Sequence, residues 1–242
     1  MPLPPDIDFD KLVRIAQDDL VAAVSKWLDG YPREEPALMN QVTGTLGKHR
    51  GCDVGVRNPV KMTRELALLH RKGTDQKDLF GSDLAITLRI NDTEWIKTSL
   101  FQFKTSTDFH VELKRSQLED ALSNPLTQSR SYIFVVDQNR TGMRIIGAEA
   151  AFKEFKPDHK VSQTYDVAQC LGVVKWLEEW LSAPADELIE TTKTTVIEQL
   201  LRSYVLPSPW DDGLFATTEN VGGDSILPAR AWLRFSAQPW NR

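Results

Sequence analysis

Two stretches decide the fold: Gly81-Ser82-Asp83-Leu84-Ala85-Ile86-Thr87-Leu88-Arg89-Ile90 and Trp95-Ile96-Lys97-Thr98-Ser99-Leu100-Phe101-Gln102-Phe103-Lys104, joined by Asn91-Asp92-Thr93-Glu94. Both arms are rich in β-branched and aromatic residues, and the polar break between them has turn chemistry, so the pattern predicts a β-hairpin. Side chains alternate between the faces of a strand. Leu84, Ile86, Leu88 and Ile90 therefore share one face, with Asp83 on the other. Phe101 and Phe103 share a face, with Gln102 and Lys104 opposite them. In an antiparallel pair the start of the first arm lies beside the end of the second, where Asp83, Gln102 and Lys104 can converge.

An acid at the entry of one strand, followed by a polar-x-lysine tripeptide on the next, resembles the PD-(D/E)XK nuclease superfamily in its Gln-x-Lys variant, a form found in branches that include Mrr-like enzymes. The resemblance spans roughly residues 30–150. It implies an α/β fold, with a mixed central β-sheet flanked by helices and a restriction-endonuclease-like core carrying extra helices at both ends. It also implies a Mg²⁺- or Mn²⁺-dependent phosphodiesterase acting on DNA before RNA, with a genome-defence role suggested at family level only. By the same likeness Asp83, Gln102 and the carbonyl of Phe103 are metal donors, and Lys104 orients or helps deprotonate the attacking water. The alternative is a nuclease-fold protein that has lost catalysis, because Gln102 is neutral, and that serves as a binding or assembly subunit. An unrelated α/β domain making contacts through its Trp-rich tail is a third reading.

The 242 residues suit one large domain or a domain with an appendage. The division expected is a nuclease-like domain over 1–155 with an N-terminal helix, and a helical, Trp- and Pro-rich extension over 156–242 packing on the same core. The formal net charge is −5, from 29 Lys and Arg against 34 Asp and Glu, which is not the global footprint of a nucleic-acid-binding protein. Any such contact has to be local. Cys52 and Cys170 stand in unlike contexts, so neither a disulfide framework nor a CxxC metal pair is expected. No apolar run approaches the ~20 residues a membrane helix needs. The N-terminus lacks a basic region followed by an apolar one. A cytoplasmic protein without membrane contact is the expectation, with a homodimer or a partner subunit left open.

Along the chain, Leu12, Ile15, Ala16, Leu20, Ala23, Val24 and Trp27 predict a helix from Asp8 or Asp10 to about Leu28, stopped by Gly30. A second helix is predicted to start around Arg33–Pro36, with proline in its first turn. Leu38, Met39, Val42 and Leu46 form its apolar stripe, and Glu35 is centred on that stripe while Glu34 sits at its margin. The superfamily resemblance implies a helix-borne glutamate facing the metal. Glu35 is the first candidate and Glu34 the second, although both acids also suit a helix N-terminus for electrostatic reasons alone.

Residues 47–79 hold eight Lys and Arg against four Asp and Glu, a local excess of four. Such a patch draws in a polyanion and releases its counterions. Lys48, Arg50, Arg71 and Lys72 are candidate nucleic-acid contacts, joined by Lys114 and Arg115 further on. An ordinary solvated loop and a helix over Met62–His70 would give the same charge pattern. His49 and Cys52 lack the second pair a zinc site needs. Asp78 reads as a loop acid, or an accessory to the metal shell. Beyond Lys104 the patterns predict a helix over about Leu113–Leu122, a buried strand Ser131–Val136, and a strand Met143–Ile146. They continue with a helix Ala148–Phe155, a linker at 156–160, a helix Asp166–Leu181 with Cys170 buried on it, and a helix of about Asp186–Tyr204. Trp210, Trp232 and Trp240 mark a tail that caps the domain or meets a partner.

Overall fold

The two arms form neighbouring antiparallel strands in the computed structural model, which describes residues 4–30, 33–46, 51–68, 77–78, 82–90, 96–123, 128–139, 142–156, 161–183, 226–227 and 231–239. In chain order the elements are α1 (Phe9–Asp29), α2 (Glu35–Leu46), β1 (Cys52–Asp53), β2 (Val60–Leu68), β3 (Lys77–Asp78), β4 (Leu84–Ile90), β5 (Ile96–Ser106) and β6 (His110–Lys114). Then follow α3 (Arg115–Leu122), a 3₁₀ turn at Gln128–Arg130, β7 (Ser131–Asp137), β8 (Met143–Gly147), α4 (Ala148–Lys153), β9 (Ser162–Asp166), β10 (Leu171–Gly172), α5 (Val173–Ser182), β11 (Ile226–Leu227) and β12 (Ala231–Pro239).

Eight of the described strands make one mixed sheet in the order β1-β2-β12-β4-β5-β7-β8-β10. β12–β4 and β5–β7 are parallel, and the other neighbours are antiparallel. Two-stranded ladders β3–β11 and β6–β9 lie outside it. The fold is thus α/β, a large mixed sheet flanked by helices.

Alternation along the central strands builds a core on each face of the sheet. Leu84 on β4, Phe101 and Phe103 on β5, Phe134 and Val136 on β7 and Leu233 on β12 pack against α1, α2 and α5. The opposite face turns Ile133, Val135 and Ile146 towards α3, α4 and the β6–β9 ladder. Each large apolar side chain fully buried this way is worth about 1.5–3 kcal/mol before entropy is counted. On α1 the Asp8 carboxylate accepts the N–H of Lys11 at 3.0 Å, an N-cap that fixes where the helix begins. The stripe on α2 faces the sheet, with Leu38, Val42 and Leu46 buried.

Several segments differ from the sequence expectation. Met62–His70 does not start a helix, because Val60–Leu68 is strand β2, paired with β12 through nine register positions. Within it Arg64 is buried and ion-paired with Asp19 of α1, and its guanidinium lies 5.4 Å from the ring centre of Phe235. A charged residue at an inward position interrupts the apolar alternation that would mark a strand.

The helix expected from Leu113 begins at Arg115, because His110–Lys114 pairs with Ser162–Asp166 as β6–β9. The helix expected from Asp166 begins only at Val173. Cys170 therefore sits in the turn before β10 rather than on a helix face. Both cysteines are free thiols, half-buried, and burial pushes the Cys170 thiol up, with the Glu154 and Asp166 carboxylates adding to the effect. The expected turn at Asn91–Glu94, the linker at 157–160 and the helix at 186–204 lie outside the described residues. β9, β10 and β12, all beyond residue 155, pair with strands that precede it.

Candidate active site at the open corner of the sheet

The β4–β5 ladder runs from Arg89↔Ile96 to Leu84↔Phe101. β5 continues for five residues beyond that last pair, so Gln102–Ser106 has β7 on one side and the entry of β4 on the other. At this corner the N–H of Asp83 donates to the carbonyl of Phe101 at 2.8 Å, although Phe101 already faces Leu84. Two successive residues thus face one, which is the offset of a β-bulge. The ladder slips by one residue, and strict alternation no longer fixes where the Asp83 side chain lies. Its Oδ2 accepts the N–H of Phe103 at 2.8 Å. N–H and C=O of one strand residue point the same way, so the Phe103 carbonyl faces the same corner as the Asp83 carboxylate.

Lys104 is 9% exposed, and its Nζ lies 3.1 Å from Oε2 of Glu35 in the first turn of α2. The lysine belongs to the face opposite Phe103, yet it reaches a helix packed on the Phe103 side. Among the described residues the last β4–β5 pair is Leu84↔Phe101, and the crossing lies beyond that end of the ladder. Glu34 is exposed, while Glu35 is half-buried and its carboxylate carries the ion pair.

Gln102 is 8% exposed, and no hydrogen bond from a described residue reaches its amide.

The loops beside the corner are held by Asp137 at the end of β7. It is fully buried, and its Oδ2 accepts from Oγ of Ser106 at 3.1 Å and from the N–H of Phe109 at 2.7 Å. Its Oδ1 accepts the N–H of Asn139 at 2.9 Å. The expected strand Ser131–Val136 stops one residue short of it. No local signal reveals that it binds the chain that follows β5. The amide of Gln138 in turn donates to the Arg33 carbonyl at 3.4 Å, just ahead of α2.

The nucleic-acid candidates are placed differently. Lys48, Arg50, Arg71 and Lys72 lie outside the described residues. Lys114 and Arg115 sit at the β6–α3 junction. There Arg115 pairs with Glu119 at 2.9 Å and lies over the Phe152 ring, away from Glu35 and Lys104, which pair with each other. The side chain of Asp78, on β3, is likewise outside the described set.

Comparison with family models, with curated proteins and with solved structures finds no match to this chain.

Among the described residues no group of three or more His, Cys, Asp and Glu side chains is placed to hold a metal ion. The corner offers two carboxylates, Glu35 and Asp83, with the Gln102 amide oxygen and the Phe103 carbonyl. All four donors are hard oxygens, the set that suits Mg²⁺ or Mn²⁺ and not zinc. Mg²⁺ keeps several waters and needs only one or two carboxylates, so the donor chemistry fits such an ion.

Proposed function

We propose that the chain is a metal-dependent nuclease that hydrolyses phosphodiester bonds, DNA before RNA, with Mg²⁺ or Mn²⁺ as cofactor and the sheet corner as its active site. The observation that carries the reading is the meeting of Lys104 with Glu35 at 3.1 Å beside an Asp83 carboxylate bonded to the Phe103 backbone.

When bound, a divalent cation supplies a more acidic water and positive charge next to the phosphate. Asp83 is the principal carboxylate in this scheme and Glu35 the second. Gln102 and the Phe103 carbonyl contribute neutral oxygens. Lys104 orients the attacking water, assists its deprotonation and stabilises charge on the phosphate. Removing either Asp83 or Lys104 takes away a group that acts in the transition state, so the cost falls on the rate.

Plasmid DNA and RNA incubated with the protein, in Mg²⁺, in Mn²⁺ and in EDTA, test this. Cleavage is expected with metal only, and Asp83→Ala and Lys104→Ala are each expected to lower it by about 10²-fold or more. Cleavage that survives both substitutions removes the corner from consideration.

A second reading, an inactive nuclease-fold subunit for binding or assembly, draws on the neutral Gln102 and on Lys104 being occupied by Glu35. It expects salt-sensitive DNA binding with no cleavage in any metal.

A further inference from the structure

We propose that the cavity beneath α1, α2 and α5 binds a short, neutral aliphatic molecule ending in an acceptor oxygen, which the Nε–H of Arg64 holds. The cavity lies on the helix-covered face of the sheet, and its occupancy needs no chemistry at the corner.

The cavity measures about 90 Å³. Ala16 of α1, Val42 of α2 and Leu177 of α5 help to cover it, and its floor is drawn from six neighbouring strands, β2-β12-β4-β5-β7-β8. A small volume with so extended a wall is slim, and it suits a chain better than a ring. Apart from Asp19 and Arg64, every described residue of the wall is aliphatic or aromatic. Walls of this kind stay dry and take up apolar molecules of matching size. At about 10–15 Å³ for each water-sized group, the space accepts a chain of about six to nine heavy atoms.

Arg64 supplies the polar end. Its side chain is 2% exposed, and its Nη1 pairs with Asp19 and donates to the Leu46 carbonyl at 3.4 Å. Its guanidinium lies over the ring of Phe235, another residue of the wall. Its Nε is buried and has no hydrogen-bond partner among the described residues. A buried donor without an acceptor is costly, and an oxygen brought into the cavity removes that cost. Because β2 is the outermost strand of the floor, that oxygen belongs at the end of the chain and not in its middle.

The same pair sets the charge of the ligand. Arg64 and Asp19 are the charged residues of the described wall, one of each sign, and they are paired with each other. A ligand carboxylate would be a further buried anion beside Asp19. A ketone, aldehyde or ester oxygen accepts from Nε and adds no charge.

Isothermal titration calorimetry on the full chain tests this with 2-heptanone, its isomer 4-heptanone and heptanoate. Thermal unfolding in each probe serves as a second readout, since a ligand that binds the folded protein alone raises the midpoint. 2-Heptanone is expected to bind and to raise the midpoint. 4-Heptanone, equally apolar with its oxygen misplaced, is expected to bind about tenfold more weakly, and heptanoate more weakly still. Arg64→Lys keeps a cation for Asp19 and removes Nε, and is expected to weaken 2-heptanone by about tenfold. Ala16→Leu fills the cavity and is expected to abolish binding in a folded protein.

No binding of 2-heptanone to the unaltered protein overturns the proposal. Equal affinity for the two ketones, or heptanoate binding as tightly as 2-heptanone, overturns it as well. Unchanged 2-heptanone affinity in Arg64→Lys or in Ala16→Leu places the ligand elsewhere, with the same result. Should either variant not fold, the ranking of the three probes on the unaltered protein decides the matter.

Discussion

Asp53 holds two backbone N–H groups at once. Its Oδ1 accepts from Gly55 and from Val60, each at 3.0 Å, which closes the turn between β1 and β2. The same turn needs a glycine, because a Cβ at position 55 would lie 1.8 Å from the Asn58 carbonyl oxygen. These hydrogen bonds, Gly55 first and Val60 second, hold the Asp53 carboxyl below the usual aspartate range, and the Lys11 ammonium at 3.2 Å adds less.

That ion pair is more than a third exposed on both sides and is screened by solvent, so the backbone bonds carry the effect. A carboxyl depressed in the folded state stabilises above its unfolded pKa, and the contribution is lost as pH falls through the folded value. Asp53→Ala is expected to cost about 1–2 kcal/mol at neutral pH through the lost bonds. The gap from the unaltered protein should narrow as pH drops below about 4. Urea unfolding at several pH values measures it, and a gap that stays constant to low pH would mean the carboxylate charge is irrelevant.

Lys97 ties two elements together. It is 4% exposed on β5, and its Nζ donates to the Trp180 carbonyl and, at 2.7 Å, to the Ala183 carbonyl. Those carbonyls end α5, where the last turn lacks helical partners and the dipole is negative. The ammonium is also 5.8 Å from the Trp180 ring centre. Lys97→Met keeps the aliphatic stem and removes the donor, and is expected to destabilise by about 2 kcal/mol. Hydrogen exchange should quicken at the Ala183 amide, which closes the last turn on Glu179 at 2.9 Å. Unchanged protection there would show that α5 ends without help from β5.

Elements whose pattern is local were legible in the sequence, and those defined by distant partners were not. The Leu84–Ile90 alternation and the Leu38–Val42–Leu46 stripe each state their buried face within one element. Glu35 was readable from that stripe, since its position relative to Leu38 already aims it at the sheet. β6 and β9 are five residues each and pair across about fifty residues of chain, so neither has a partner nearby to betray it. The bulge at Asp83 was hidden for a related reason, because a one-residue slip depends on how the facing strand is bonded.

The whole molecule is closed by its last described strand. β12 lies between β2 and β4, antiparallel to one through nine register positions and parallel to the other through seven. Leu233 and Ala237 are buried and Phe235 half-buried on one face, an alternation present in Ala231–Pro239 but masked in a tail rich in Trp and Pro. Without it, β2 with β1 would be separated from β4 with the hairpin, and two unpaired edges would face the solvent. The corner depends on this indirectly, since Asp83 enters β4 and the course of β4 is set on one side by β12.

Truncation after Ile226–Leu227 is therefore expected to abolish cooperative urea unfolding and to yield aggregating protein, rather than a stable core lacking a tail. Contacts such as Val60↔Pro239 join residues about three quarters of the chain apart, and loop closure over that separation comes late and slowly. A synthetic Ala231–Pro239 peptide added during refolding should restore part of the native circular dichroism by re-forming the missing ladder. A truncated chain that unfolds cooperatively at the midpoint of the full-length protein would show that β12 is dispensable to the sheet.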